Sequence, residues 1–223
     1  MSLPKFRACV FDMDGVLLDT ERLAVAGWVE ASASYGLDVP YELALQTVGL
    51  DKWQSKALLT QRMGSDFPYD EVRDLRNSLT KRMILTDGVP VKPGARELIG
   101  LLRSRDIPCA VATSTQRLRA VDLLERSLMI SEFQSVVCVE DVEKAKPAPD
   151  IFLEAASRLG VPPESCIVFE DSGPGLLAAH RAGMIPVLVP DIGVVADEVR
   201  RLAMVICESL TDAIPLVDDA TRS

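Results

Sequence analysis

The sequence predicts an α/β protein in which a parallel-sheet core is interrupted, directly after its first strand, by an all-helical block. Three observations predict it. From residue 91 onward, short apolar runs alternate with amphipathic stretches, the strand–helix repetition that builds a parallel sheet covered on both faces. A separate apolar run, residues 6–11, stands at the front of the chain. Between the two, residues 19–88 carry helical periodicity and no convincing strand. The expected division is therefore a core of 1–18 and 89–223 around a helical insertion of 19–88, with Gly88-Val89-Pro90-Val91 as the return linker.

The elements follow in order. Residues 6–11 read as a short buried strand ending in Asp12 and Asp14. In the insertion, a helix over 20–35 has Thr20 as its cap and Gly36 as its stop. Helices over 40–47, 52–63 and 68–85 come next, with Asp51 a suitable N-cap for the second of these. In the core, a helix over 93–105 has Pro93 in its first turn, followed by a strand over 107–113 and a helix over 116–127. A strand over 135–139 precedes a helix over 149–159 that Gly160 ends. The remaining strands are 166–169, 185–189 and a short 204–207, with a helix from about Gly175 to Gly183 after the first of them. An insertion that leaves from the C-terminal end of a strand sits at the edge where open α/β sheets place their sites.

Composition narrows the function. With 48% hydrophobic and 26% charged residues, the 223-residue chain can bury a sizeable core. A net charge of −9 argues against nucleic acid or an anionic membrane surface as the partner. The five cysteines are scattered and form no C-x-x-C pair, so a zinc site is not expected and a reducing compartment is. No signal peptide is legible, and no run of about 18 apolar residues occurs. These features fit a cytoplasmic protein, expected to be a monomer.

Chemistry gathers at the strand ends. Asp12 and Asp14, two apart in extended chain, project to the same side, and Gly15 lets the backbone turn away. Two like charges so close call for a divalent cation or a shared proton, although D-x-D-G can also be a solvated turn. Thr113 and Ser114 end another strand ahead of a helix, where a hydroxyl and backbone N–H groups bind phosphate oxygens or simply cap the helix. Lys146 lies in a turn stiffened by Pro147 and Pro149. Glu170 and Asp171 end a strand too apolar to finish in two charges without a partner. Four carboxylates with no His or Cys match a hard octahedral cation, Mg²⁺ first among them. One carboxylate of such a set can attack phosphorus, the lysine and cation offsetting the charge on the transferring group. Asp14, kept protonated by its like-charged neighbours, can donate to the leaving oxygen and later take a proton from water.

At these residues the chain resembles the haloacid dehalogenase superfamily, in its β-phosphoglucomutase-like and sugar-phosphatase branch. The pattern D-x-D-G-[VT]-L-x-D-[ST] is met by Asp12-Met13-Asp14-Gly15-Val16-Leu17-Leu18-Asp19-Thr20. The strand ending in Thr113, Lys146-Pro147-Ala148-Pro149-Asp150 and Glu170-Asp171-Ser172 match the other three motifs. The resemblance implies a Rossmann-like core with a helical cap and a Mg²⁺-dependent phosphatase of small phosphorylated substrates, sugar phosphates foremost. It makes Asp12 the nucleophile, Asp14 the acid/base, and Thr113, Ser114 and Lys146 the phosphate-binding group. Mg²⁺ falls to Asp12, the Asp14 carbonyl and Asp171, with Glu170 close by, often through water.

Asp14 separates the chemistries of that family, since its dehalogenases and phosphonate hydrolases lack an acid there. The alternative is a phosphohexomutase, whose relatives carry a His where this chain has Ala24, and the one histidine present, His180, falls on a core helix. Glu21, Arg22, Gly49 and Lys52, with Trp53 and Lys56, are the cap candidates for leaving-group contacts. Lys52 and Lys56 would equally suit a solvated helix face, and Trp53 plain packing.

Overall fold

The computed structural model describes residues 3–50 and 52–222. Two compact units divide them, one reaching to Leu18 and resuming at Pro90, the other spanning Asp19–Val89.

The first unit holds a six-stranded, wholly parallel sheet: β1 (Ala8–Phe11), β2 (Cys109–Ala112), β3 (Ser135–Val137), β4 (Cys166–Glu170), β5 (Ile185–Leu188) and β6 (Val205–Ile206). Their order is β3-β2-β1-β4-β5-β6, so the strand made first lies between β2 and β4, where the winding reverses. Every residue of β1, β2, β4 and β5 is buried, which is why these strands read as unbroken apolar runs rather than alternating ones. Val10, Ala110, Ala112 and Val168 meet Ile151, Phe152, Ala178 and Ala179 on one side of the sheet. On the other, Phe11 stacks on its register partner Phe169 with ring centres 5.3 Å apart and meets the edge of Phe133 at 6.1 Å. Truncating a buried ring of this kind costs about 3–5 kcal/mol.

The second unit is helical: α1 (Thr20–Ser34), α2 (Tyr41–Leu45), α3 (Lys52–Met63) and α4 (Tyr69–Asp87). Its core joins Trp28 of α1 to Tyr69 of α4 at 5.5 Å, with the Arg76 guanidinium 4.9 Å from the Trp28 ring. Gly27 permits that approach, since a Cβ there would lie 2.8 Å from Thr80 Oγ1. The Tyr69 hydroxyl ties α3 in, donating to Lys52 O at 3.0 Å and lying 2.5 Å from Ser55 Oγ.

The helices of the sheet unit are α5 (Ala95–Ser104), α6 (Arg117–Arg126), α7 (Asp150–Leu159), α8 (Gly173–Arg181), α9 (Asp197–Arg200) and α10 (Leu210–Thr221). Several starts differ from expectation. Thr20 is the first residue of α1 rather than its cap, which is Asp19. Pro93 lies ahead of α5, whose N-cap is Gly94 at φ 83°. A Cβ at Gly94 would stand 2.2 Å from Thr211 N, so glycine is required for α10 to approach. α8 starts two residues early, because Ser172 caps it by accepting from Gly175 N–H. α9 and α10 were not anticipated; Pro215 inside α10 masks its helical pattern. The N-cap expected at Asp51 lies outside the described residues. All five cysteines are free and buried, and no described helix is long and apolar enough to cross a membrane.

Candidate active site

β1 delivers Asp12 to the point where the winding reverses. Its N–H donates to Phe169 O at 2.9 Å, carrying the β1–β4 ladder one residue beyond Phe11. The chain then closes a tight turn: Leu17 and Leu18 N–H both donate to Met13 O, and Gly15 N–H donates to Leu18 O at 2.8 Å. Gly15 takes φ 86°, which only glycine adopts without strain. Met13, Val16, Leu17 and Leu18 are fully buried, so the D-x-D-G segment is a packed corner and not a solvated turn. The backbones of both aspartates are thereby fixed.

Lys146 supplies the matching charge. Its side chain is 5% exposed, and its ammonium donates to Asp12 Oδ1, to Glu170 Oε1 at 2.6 Å and to Ala112 O at 3.1 Å. Three donors meet three acceptors, so the buried cation is satisfied. Burial works against its charge, but the carboxylates of Asp12 and Glu170 outweigh it and hold Lys146 above the usual lysine range. Burial pushes Asp12 up to about 7, against the pull of Lys146, and Glu170 and Asp14 add to the rise.

Glu170 is fully buried, with both carboxylate oxygens in use. Oε1 faces Lys146, while Oε2 accepts from the Ser172 N–H and hydroxyl, each at 2.9 Å. The cradle depends on Gly175, where a Cβ would lie 1.7 Å from Oε1. Glu170 thus orients the lysine. Asp171, next along, is 5% exposed.

At the end of β2, Thr113 is buried and its N–H donates to Val137 O at 2.9 Å. Neither Thr113 nor Ser114 caps α6, whose N-cap residue is Gln116, and the Arg117 N–H is taken by the Glu140 carboxylate at 3.1 and 3.2 Å. Ser114 is exposed. The sequence reading missed Thr115: its N–H donates to Thr113 Oγ1 at 3.0 Å and its hydroxyl to Asp14 Oδ2 at 2.7 Å. No sequence signal marks the contact, which arises because β1 and β2 are adjacent parallel strands whose following residues run side by side.

The cap candidates lie in the helical unit. Arg22 Nη1 donates to Asp19 Oδ1 at 2.9 Å, beside Glu21 in the first turn of α1. Gly49 takes φ 74°. Lys52 and Lys56 converge on Asp70 at 3.0 and 2.6 Å, so they form a shared ion pair. Trp53 is 73% exposed rather than packed away. His180 is exposed on α8.

Comparison with known proteins shows the family. Residues 6–183 match the family model described as haloacid dehalogenase-like hydrolase. The chain belongs to that family, and it is an enzyme of the phosphatase kind acting on small phosphorylated metabolites. It is 35% identical to the "Probable pseudouridine-5'-phosphatase" of Drosophila melanogaster over 96% of this chain and 94% of that one. It is 32% identical to the "Phosphorylated carbohydrates phosphatase" of Thermotoga maritima, over 79% and 82% of the two chains. Among solved structures, a haloacid dehalogenase family hydrolase of Deinococcus radiodurans, with bound phosphate and sodium, superposes with TM-score 0.84 at 27% identity, covering 98% of this chain and 97% of that one. The Rossmann-like core and inserted helical cap are those of the family.

Family membership implies dependence on a divalent metal. Among the described residues, no three Asp, Glu, His or Cys side chains form a ready cation cage. The donor chemistry nevertheless fits a hard cation: Asp12 and Glu170 are buried acids sharing the Lys146 ammonium, and Asp171, also buried, follows Glu170 at the same strand end. Main-chain carbonyl, phosphate and water oxygens would complete such a donor set.

Proposed function

We propose that this chain is a Mg²⁺-dependent phosphatase of small phosphorylated metabolites, sugar phosphates foremost, working through an aspartyl phosphate on Asp12. The observation that carries the reading is the buried Lys146 ammonium, fastened at once to Asp12, Glu170 and the end of β2 beside Thr113. Asp12 attacks phosphorus in line while Lys146 offsets charge on the phosphoryl oxygens. Thr113 and Ser114 bind those oxygens. Asp14 gives its proton to the leaving oxygen and later takes one from the water that hydrolyses the aspartyl phosphate. Mg²⁺, held by the Asp12 carboxylate, the Asp14 carbonyl and Asp171, would neutralise the charge that develops during transfer. The substrates in the names of the two relatives, a nucleoside phosphate and phosphorylated carbohydrates, support the substrate class.

Asp12→Asn tests the nucleophile. It should abolish turnover across a panel of phosphorylated sugars and nucleotides, abolish acid-trapped phosphoenzyme, and leave thermal unfolding cooperative. Substantial residual turnover would remove Asp12 from this role. The same panel with native enzyme should rank sugar phosphates highest. Glucose 1-phosphate with a bisphosphate primer should yield inorganic phosphate; glucose 6-phosphate as product would make the enzyme a phosphohexomutase.

A further inference from the structure

We propose that Thr115 is a positioning residue for proton transfer: its hydroxyl fixes the Asp14 carboxyl and stabilises the carboxylate left behind when the proton passes to the leaving oxygen. The inference rests on the acid/base role given to Asp14 above. Its starting observation is the 2.7 Å hydrogen bond from Thr115 Oγ1 to Asp14 Oδ2, which joins residues 101 apart in the chain.

The geometry is restrictive at both ends of that bond. The Asp14 backbone is locked in the buried corner of residues 13–18, so the remaining freedom of Asp14 is rotation of its side chain. Thr115 is β-branched and stiff at χ1, and its N–H is held by Thr113 Oγ1 at 3.0 Å. The hydroxyl therefore presents its proton from a fixed place. Thr113 links the two tasks, since it is the buried hydroxyl assigned to the phosphoryl group and also the acceptor that sets the Thr115 turn.

The bond changes strength during the reaction. While Asp14 carries its proton, Thr115 donates to a neutral carboxyl. As the bond from phosphorus to the leaving oxygen breaks, the Asp14 proton moves to that oxygen and the electron pair stays on the carboxylate. A donor to an ionised acceptor binds about twice as strongly as one to a neutral acceptor, so the Thr115 contact tightens as the transition state is approached. Interactions of that kind accelerate the chemical step rather than improve ground-state binding.

The test compares phenyl phosphate with p-nitrophenyl phosphate. The two are alike in shape, but phenolate is the stronger base and needs the proton, whereas p-nitrophenolate leaves readily without one. Thr115→Val keeps the shape and removes the hydroxyl. Its kcat/KM for phenyl phosphate should fall on the order of 10-fold, with p-nitrophenyl phosphate losing less than about threefold. Thr115→Ser, which keeps the hydroxyl, should restore phenyl phosphate hydrolysis to within about twofold. Should Thr115→Val fail to fold, Thr115→Ala against Thr115→Ser gives the same comparison. Equal losses on both esters, or no loss on phenyl phosphate, would overturn the inference. Asp14→Asn separates it from the reading beneath it. If Asp14→Asn hydrolyses phenyl phosphate as well as the native enzyme does, the role of Asp14 is wrong. If Asp14→Asn shows the leaving-group bias and Thr115→Val does not, Thr115 alone is misassigned.

Discussion

Asp12 carries the consequence of its burial, to which the carboxylates of Glu170 and Asp14 add. Its native value of about 7 stands above the 3.8 of an unperturbed aspartate, so between those values the folded chain holds a proton that the unfolded chain has shed. The unfolded state then binds fewer protons, and the stability of the metal-free protein falls as pH rises from about 4 to about 7. Binding a cation to Asp12 must expel that proton. Mg²⁺ affinity should therefore climb with pH up to about 7 and level off above it. Calorimetric titrations near pH 6 in buffers of different ionisation enthalpy should show proton release; heats independent of the buffer would count against Asp12 as a ligand. Gly175 makes a second prediction, because Gly175→Ala would drive a Cβ to 1.7 Å from Glu170 Oε1 and uncouple it from Lys146. A broken buried pair costs about 3–5 kcal/mol, and urea denaturation should read a loss of that size together with lost turnover. At this scale the sequence displayed Asp12, Asp14, Lys146 and Glu170, because acids and a lysine at apolar strand ends stand out. It did not display that both oxygens of Glu170 are occupied by Lys146 and Ser172, or that Thr115 reaches Asp14, since both depend on which strands are neighbours.

Among the elements, the buried strands were the most legible. β1, β2, β4 and β5 are buried on both faces and apolar apart from Glu170 at the end of β4, so apolar composition marks them, and their ends move only by a residue or two. Helix starts were harder to read. Pro93 looked like a first-turn residue, but the close passage of α10 selects Gly94 at a left-handed φ as the true cap. Pro215 hid α10, whose buried Leu210, Ala213 and Val217 hold it in place despite the proline. Gly94→Ala should therefore cost on the order of 3 kcal/mol, combining backbone strain with a clash against Thr211. Thermal unfolding checks this; a melting temperature within a degree or two of native would show that α10 yields easily.

For the whole molecule, the helical unit is where substrate choice is expected to reside. Arg22→Ala and Lys52→Ala should reorder the preferred phosphorylated sugars and nucleotides while p-nitrophenyl phosphate, which asks little of a leaving-group pocket, is hydrolysed at near the native rate. An unchanged ranking would move specificity elsewhere. The helical character of residues 19–88 was readable from periodicity, whereas the sharing of Asp70 by Lys52 and Lys56 was not, because α4 supplies that carboxylate from outside the local pattern. The position of β1 has a further consequence, for the making of the chain. β1 leaves the ribosome ahead of its hydrogen-bonding neighbours, which begin at Cys109 and Cys166. At about 5–20 residues per second, β1 waits roughly eight to thirty seconds for β4. Throughout that interval a fully apolar strand has an unsatisfied edge, while every residue of the helical block behind it has been made. Nascent chains halted before Cys166 should therefore carry a folded helical block on an aggregation-prone stub, and their survival should depend on chaperones that shield exposed strands.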